Sequence, residues 1–293
     1  MKIGVLGLGS IGMRHYNNLK DMGHDVIGYD PLQQRDVKFP CEIFERCDAV
    51  VSATPSINHC ADIRAAVERG KHIFVEKPIA TDLNGLEELL SQARDKNLVV
   101  FTGYNLRFHA VVVRIKEWLD QGLIGNPLWA SFSCGQVATK PAYLRDGVIL
   151  NWSHEIDLAL YLLGLAKVTH ASARLTIRED DDMADILMRH DNGVRNYIHL
   201  DYVSNPEIRG NIISGDDGYI AADLVTRQAV LLKRRNWMER SFAAEDSFDR
   251  NYIDEMKAFL ARVAGEKTRG ATGEDGLAAL KICLDARAKA RVP

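Results

Sequence analysis

Gly7-Leu8-Gly9-Ser10-Ile11-Gly12 has the spacing G-x-G-x-x-G and stands between an apolar run, Lys2 to Leu6, and an amphipathic stretch that follows. In that setting each glycine has its own role. Gly7 permits a tight turn, Gly9 lets backbone approach a pyrophosphate, and Gly12 lets strand and helix pack closely. A helix opening at Ser10 and Ile11 would offer unpaired N–H groups and the positive end of its dipole to the phosphates. Asp30 ends the next apolar run, near the position where a carboxylate accepts hydrogen bonds from the adenosine ribose and repels a 2′-phosphate. Its alternative role is a turn-former before Pro31. The carboxylate favours NAD over NADP, with Arg35 as the counter-signal, since a guanidinium there could pair with a 2′-phosphate.

A nicotinamide that takes a hydride from an alcohol needs a protein group to take the hydroxyl proton. Lys77, in Glu76-Lys77-Pro78 at the end of the run His72 to Glu76, is a candidate. The carboxyl ends of strands line the ligand crevice in open α/β sheets, which would bring this lysine to the nicotinamide side. A structural ion pair with Glu76 is the other reading of the same residue.

These residues need an alternating framework to hold them, and the first part of the chain has one. Strands are predicted at Lys2–Leu6, Asp25–Tyr29, Ala49–Ala53, His72–Glu76 and Leu98–Thr102, with helices at Ile11–Met22, Ile57–Arg69, Asp82–Lys96 and Ala110–Gln121. Gly23, Gly70 and Gly122 fit as helix stop signals. That grammar predicts an α/β Rossmann domain with a parallel sheet over residues 1–121, ending before Gly125-Asn126-Pro127. Beyond it the pattern changes to a helix at Ser153–Leu163 and β-rich segments near 167–178, 183–191, 194–203, 208–214 and 218–232, then two closing helices. Residues 122–293 are therefore expected to form an α+β domain around a large, mostly antiparallel sheet, whose last helix packs back on the first domain or stays with its own. Ile186, Met188, Tyr197, Ile198 and Tyr202 put apolar side chains on both faces of that sheet, which predicts burial on two sides and a homo-oligomer, dimer or tetramer.

Composition narrows the function classes. Hydrophobic residues make up 46% of 293 positions and charged residues 26%, enough apolar side chain for a sizeable core without the charge excess of a disordered chain. The net charge of −3 is spread along the chain, so no field exists to gather nucleic acid or an anionic membrane. Lys233-Arg234-Arg235 is read as a solvated strand end, and Asp180-Asp181-Asp182 as a hairpin tip, because consecutive carboxylates on extended chain point to alternating faces and do not converge on a metal. Cys41, Cys47, Cys60, Cys134 and Cys283 form neither a metal-ligand spacing nor an even disulfide set, and a reducing cytoplasm is expected. The start of the chain has glycines phased as a turn and no small-residue cleavage site, so a signal peptide is not expected. No apolar run reaches the ~20 residues that cross a bilayer.

With GLGSIG at 7–12, ATPSINH at 53–59, EKP at 76–78, GYNLRFH at 103–109 and SHEIDLALYLLG at 153–164, the chain resembles the Gfo/Idh/MocA oxidoreductases, named for glucose-fructose oxidoreductase, inositol dehydrogenase and a rhizopine-catabolism protein. The resemblance spans nearly the whole sequence. It implies reversible, nicotinamide-dependent oxidation of sugars, amino sugars, cyclitols or related polyols. It puts Lys77 at the reaction centre and assigns His154 contact with the substrate hydroxyl as acid or base, the other reading of His154 being a capped structural histidine at a helix start. It further implies cofactor contacts from Ala53, Thr54, Pro55, Asn58, His59, Glu76 and Lys77, with His59 ordering its loop as an alternative, and substrate contacts from Asn105, Arg107 and Asn151. His109 is placed beside Arg107 at the substrate end. A partly desolvated lysine and an imidazole both suit proton transfer near neutral pH. His154, Glu155 and Asp157 are too poorly convergent on a helix to hold a metal, and none is expected.

Two features depart from the family pattern. Leu150-Asn151-Trp152-Ser153-His154 has an asparagine where many members place a carboxylate, and Asn151 can orient a hydroxyl but cannot take its proton. The stretch from Asp30 to Cys47 is short and compresses the second helix and third strand, which bears on the adenine pocket. Besides a polyol dehydrogenase or reductase, two other functions fit: a non-catalytic NAD-binding sensor or partner subunit, suggested by Asn151, and an oxidoreductase on non-sugar substrates. Retention of Lys77 and His154 disfavours the former, and the complete EKP and SHEID motifs disfavour the latter. The SHEID form resembles a branch connected with amino-sugar and nonulosonic-acid pathways, which points to a decorated or activated sugar.

Overall fold

The computed structural model describes residues 1–33, 36–137, 146–174, 182–234 and 239–290. Arg35, Asp180, Asp181 and Arg235, each given a reading above, lie outside the described residues. The chain divides into two compact units, residues 1–105 with 249–280, and residues 106–248 with 281–293.

The first unit is wound as the alternation predicts: β1 (Lys2–Leu6), α1 (Ser10–Asp21), β2 (Asp25–Tyr29), α2 (Pro40–Arg46), β3 (Ala49–Ser52), α3 (His59–Glu68), β4 (His72–Glu76), α4 (Leu86–Asp95) and β5 (Val100–Gly103). These strands pair in parallel, with β1 between β2 and β3, and β4 between β3 and β5. Gly12, His15, Tyr16 and Leu19 form the buried stripe of α1 at helical spacing, which fixes the helix against the sheet. The compressed stretch after Asp30 is accommodated by reducing α2 to one short helix, started by Pro40 and capped by the Glu42 carboxylate, which accepts from the Phe39 N–H at 3.0 Å.

The second unit opens with α5 (Ala110–Asp120) and β6 (Pro127–Gly135), continues through α6 (Gly147–Asn151) and α7 (Ser153–Leu163), and then runs through β7 (Ala166–Arg174), β8 (Met183–His190), β9 (Arg195–Asp201), β10 (Ile208–Gly215), β11 (Gly218–Asp223), β12 (Gln228–Lys233) and β13 (Glu239–Ala243). Among the described residues these form an eight-stranded sheet in the order β13-β12-β11-β10-β6-β9-β8-β7, antiparallel except for the pair β6 and β9. Ile186, Met188 and Ile198 are buried on its inner face, against which α6 and α7 pack, while Tyr197 is exposed on the outer one.

The division falls at Asn105/Leu106, earlier than the boundary expected after 121, because α5 buries Val111, Val112, Ile115 and Trp118 within the second unit and packs on β12 and β13. The remaining elements are α8 (Arg250–Val263), β14 (Ala271–Thr272) and α9 (Gly273–Lys289), of which residues 249–280 belong to the first unit. There β14 adds an antiparallel edge to β5, and Phe259 of α8 meets Phe74 and Phe101 at ring distances of 5.8 Å. The closing segment thus completes the core of the first unit; packing back there is one of the two placements expected for the last helix, and α8 joins it. Among the described residues no helix is long and apolar enough to cross a membrane.

Candidate active site

In the first unit the glycine loop fits a pyrophosphate by exclusion and by room. Gly7 has φ +79°, and a Cβ there would lie 2.6 Å from the Ala53 carbonyl oxygen. A Cβ on Gly12 would collide with the Gly7 carbonyl, whereas one on Gly9 would meet nothing within 4 Å. Gly9 and Ser10 are exposed at the N-terminus of α1, with Ile11 half-buried behind them. The open space lies where phosphates would approach the first-turn N–H groups.

Asp30 follows β2 and faces this loop: its carboxylate accepts from the N–H of Leu8 at 2.7 Å and of Leu32 at 2.8 Å. Each oxygen keeps a lone pair for a ribose hydroxyl. The segment after β3 carries Ala53, Thr54, Pro55 and Asn58, with Pro55 and Asn58 exposed. Asp62 ties it down by accepting from the Ser52 and Thr54 hydroxyls, each at 2.7 Å. His59 is buried, its Nδ1 2.7 Å from the Pro78 carbonyl and its Nε2 2.9 Å from the Thr54 carbonyl, so its ring joins two loops.

Lys77 sits at the carboxyl end of β4, half-buried. Beside it, Glu76 has a side chain 15% exposed and meets Nε2 of the fully buried His15 at 2.8 Å. Burial alone would raise the Glu76 carboxyl, but the hydrogen bond and attraction of His15, followed by Lys77 and His59, hold it below the ordinary carboxylate value. Asn105, after β5, is buried and bonded to Tyr252 of α8, whose hydroxyl is pushed up to about 12 by burial and then by Glu76.

In the second unit, α6 ends at the half-buried Asn151, and α7 places His154 in its first turn at 8% exposure. Helix α7 is buried from Ser153 to Ala159, so its carboxylates need partners. Glu155 accepts from Arg209 of β10 at 2.7 and 3.1 Å, and Asp157 accepts from Arg107 at 2.6 and 3.0 Å. Arg107, expected at the substrate, spends Nε and Nη2 on this pair and lies over the Tyr161 ring at 4.7 Å. His109 is buried too: it caps α5 by accepting from the Val111 N–H at 3.3 Å, and burial, then Arg227 and Arg209, bring it down to about 4.

Residues 1–104 match the profile described as "Oxidoreductase family, NAD-binding Rossmann fold", and residues 112–221 match the "GFO/IDH/MocA C-terminal domain". The chain belongs to the Gfo/Idh/MocA oxidoreductases. As a member of that family it is an NAD-binding oxidoreductase. It is 28% identical to a myo-inositol 2-dehydrogenase from Thermotoga maritima, with 96% of this chain and 94% of that protein covered. A scyllo-inositol 2-dehydrogenase (NAD(+)) from Bacillus subtilis is 27% identical, with coverage of 98% and 93%. Among solved structures, a UDP-N-acetylglucosamine 3-dehydrogenase from Acidithiobacillus ferrooxidans shares the fold at a TM-score of 0.85 and 24% identity, over 99% of this chain and 97% of that one.

Within this Gfo/Idh/MocA chain, His15 bonds Glu76, Tyr252 bonds Asn105 and Arg209 bonds Glu155, three partnerships that the motifs do not announce. His15 occupies the buried stripe of α1 and reads as a core histidine until its partner, 61 positions away, is known.

Proposed function

We propose that this chain catalyses the reversible, NAD-linked oxidation of a secondary hydroxyl on a cyclitol or related sugar ring. NAD, when bound, accepts the hydride from the carbinol carbon. The N–H groups of Ser10 and Ile11 would hold its pyrophosphate, and the Asp30 carboxylate would accept hydrogen bonds from the ribose hydroxyls. Ala53, Thr54, Pro55 and Asn58, with Glu76 and Lys77, would supply the remaining contacts to the dinucleotide. His154 accepts the hydroxyl proton as the hydride departs, leaving a ketone. Lys77 donates a hydrogen bond to the substrate oxygen, where charge develops. Asn151 orients a neighbouring hydroxyl, and Asn105 and Arg107 support the substrate through the residues they hold.

The observation that carries this reading is that both Lys77, at the end of β4, and His154, in the first turn of α7, are present in a chain that parallels an inositol dehydrogenase over 96% of its length. The test is NADH formation from NAD with myo-inositol, scyllo-inositol and UDP-N-acetylglucosamine. Turnover of at least one is expected, and none with any of them contradicts the assignment.

The protein is further proposed to assemble as a homo-oligomer through the outer face of its large sheet. Leu187, Tyr197 and Ile212 are exposed there in one register across β8, β9, β6 and β10, beside exposed Trp129 and Tyr219. Five free thiols suit a reducing cytoplasm.

A further inference from the structure

Lys77 has a neighbour whose carboxylate is held from another element. His15 of α1 presents Nε2 to Glu76 Oε1 at 2.8 Å. A carboxylate kept ionised can only accept, so the imidazole carries its hydrogen on Nε2 and donates. Nδ1 of the same ring has no hydrogen-bond partner among the described residues, although the side chain is fully buried. An unpaired buried polar atom costs free energy, so the polar bonding of this ring rests on Nε2 and Glu76. Packing fixes its orientation, with Phe74 at 5.1 Å and Tyr252 at 6.2 Å, both edge-on. The second oxygen of Glu76 accepts from the backbone N–H of Lys77 at 3.3 Å. On the other side of the turn, His59 of α3 reaches the Pro78 carbonyl. The turn Glu76-Lys77-Pro78 is therefore gripped by imidazoles from two helices, one opening at the glycine loop and one following the Ala53–Asn58 loop.

We propose that His15 is a positioning residue for Lys77: through Glu76 it ties the turn that carries the lysine to the helix whose N-terminus faces the cofactor phosphates. The inference rests on the role given to Lys77 above. Without His15 the glycine loop and the lysine turn lose their shared brace. A placement error of about 1 Å at a reacting group is worth on the order of 10²-fold in rate.

Three variants of the full chain separate this from simple packing: His15→Leu, which cannot donate, His15→Asn, whose amide is too short to reach Glu76, and His15→Gln, whose amide extends to the position of Nε2. NADH affinity is read by fluorescence titration without substrate, and kcat and KM with NAD and myo-inositol. His15→Leu and His15→Asn are expected to weaken NADH roughly tenfold and lower kcat on the order of 10²-fold, with the polyol KM within about threefold of the parent. His15→Gln should recover most of both losses. Unchanged NADH affinity in His15→Leu, or His15→Gln as impaired as His15→Asn, overturns the proposal. If His15→Leu does not fold, the contrast between asparagine and glutamine decides. If the parent turns over no polyol, the assignment of the reaction fails, while the NADH titrations still decide the role of His15.

Discussion

Arg209 of β10 holds Glu155 of α7 with two hydrogen bonds, Nε to Oε1 at 2.7 Å and Nη2 to Oε2 at 3.1 Å, one position beyond His154. The guanidinium also lies over the Trp152 ring at 5.5 Å, so the residues on either side of Ser153-His154 share one cation. Burial alone would lower the Arg209 pKa, but the Glu155 charge and the hydrogen bonds to it outweigh that and hold it raised, so the guanidinium stays charged. Removing one partner strands a buried charge, so Arg209→Met should lose about 3–5 kcal/mol in urea unfolding. The double variant Arg209→Met/Glu155→Met should lose less than either single one, because no charge is left unpaired. A double variant less stable than both singles would contradict this.

The glycine loop separates a folding requirement from a binding requirement. Gly12→Ala should lower the melting temperature, since its Cβ meets the Gly7 carbonyl. Gly9→Val should leave the melting temperature nearly unchanged, because nothing of the protein lies within 4 Å of that Cβ, yet should weaken NADH by roughly tenfold or more by filling the phosphate approach. Calorimetric melting and NADH titration of both variants check the split.

His109 gives stability a defined pH dependence. Its folded value of about 4 lies below the ordinary 6.5, so between these values the unfolded chain binds a proton that the folded chain refuses. The contribution is present above pH 6.5 and is lost as pH falls toward 4, by up to about 3 kcal/mol. Asparagine at this position can still cap α5 but does not titrate. His109→Asn should flatten the urea-stability profile across that window, and an unaltered slope would show that other groups set it.

The sheet face is tested by size. Light scattering at micromolar concentration should report a dimer or larger assembly, and Tyr197→Glu with Trp129→Glu should shift it toward monomer by placing carboxylates on the apolar face. A monomeric parent protein would remove the proposed assembly.

Much of this architecture is written locally. The five parallel strands of the first sheet are short apolar runs punctuated by glycine, and SHEID marks its own helix start, so β1 to β5 and α7 are legible from spacing. β6 is not: it begins at Pro127, directly after a Gly-Asn turn signal, and its small Ala130, Ser131 and Ser133 carry little strand character, although it occupies the sheet's interior between β10 and β9. The placement of α8 with the first unit is also hidden, because Phe259 finds Phe74 and Phe101 only through long-range packing. Of the proposed functional residues, Lys77, His154 and the glycine loop carry motif signals. The buried pairs Arg107 with Asp157, Arg209 with Glu155 and His15 with Glu76 join distant positions, and charge type alone names no partner.

The most direct test of the proposed chemistry is turnover by His154→Asn with NAD and the substrate that the parent enzyme oxidises, alongside Lys77→Met and the double variant. His154→Asn should lose on the order of 10²- to 10⁴-fold in kcat while binding NADH nearly as the parent does. Lys77→Met should be similarly slow with weaker NADH binding, and the double variant scarcely slower than the worse single one, as expected of groups serving one proton transfer. Near-parental kcat in His154→Asn would show that this histidine does not carry the proton and would contradict the account.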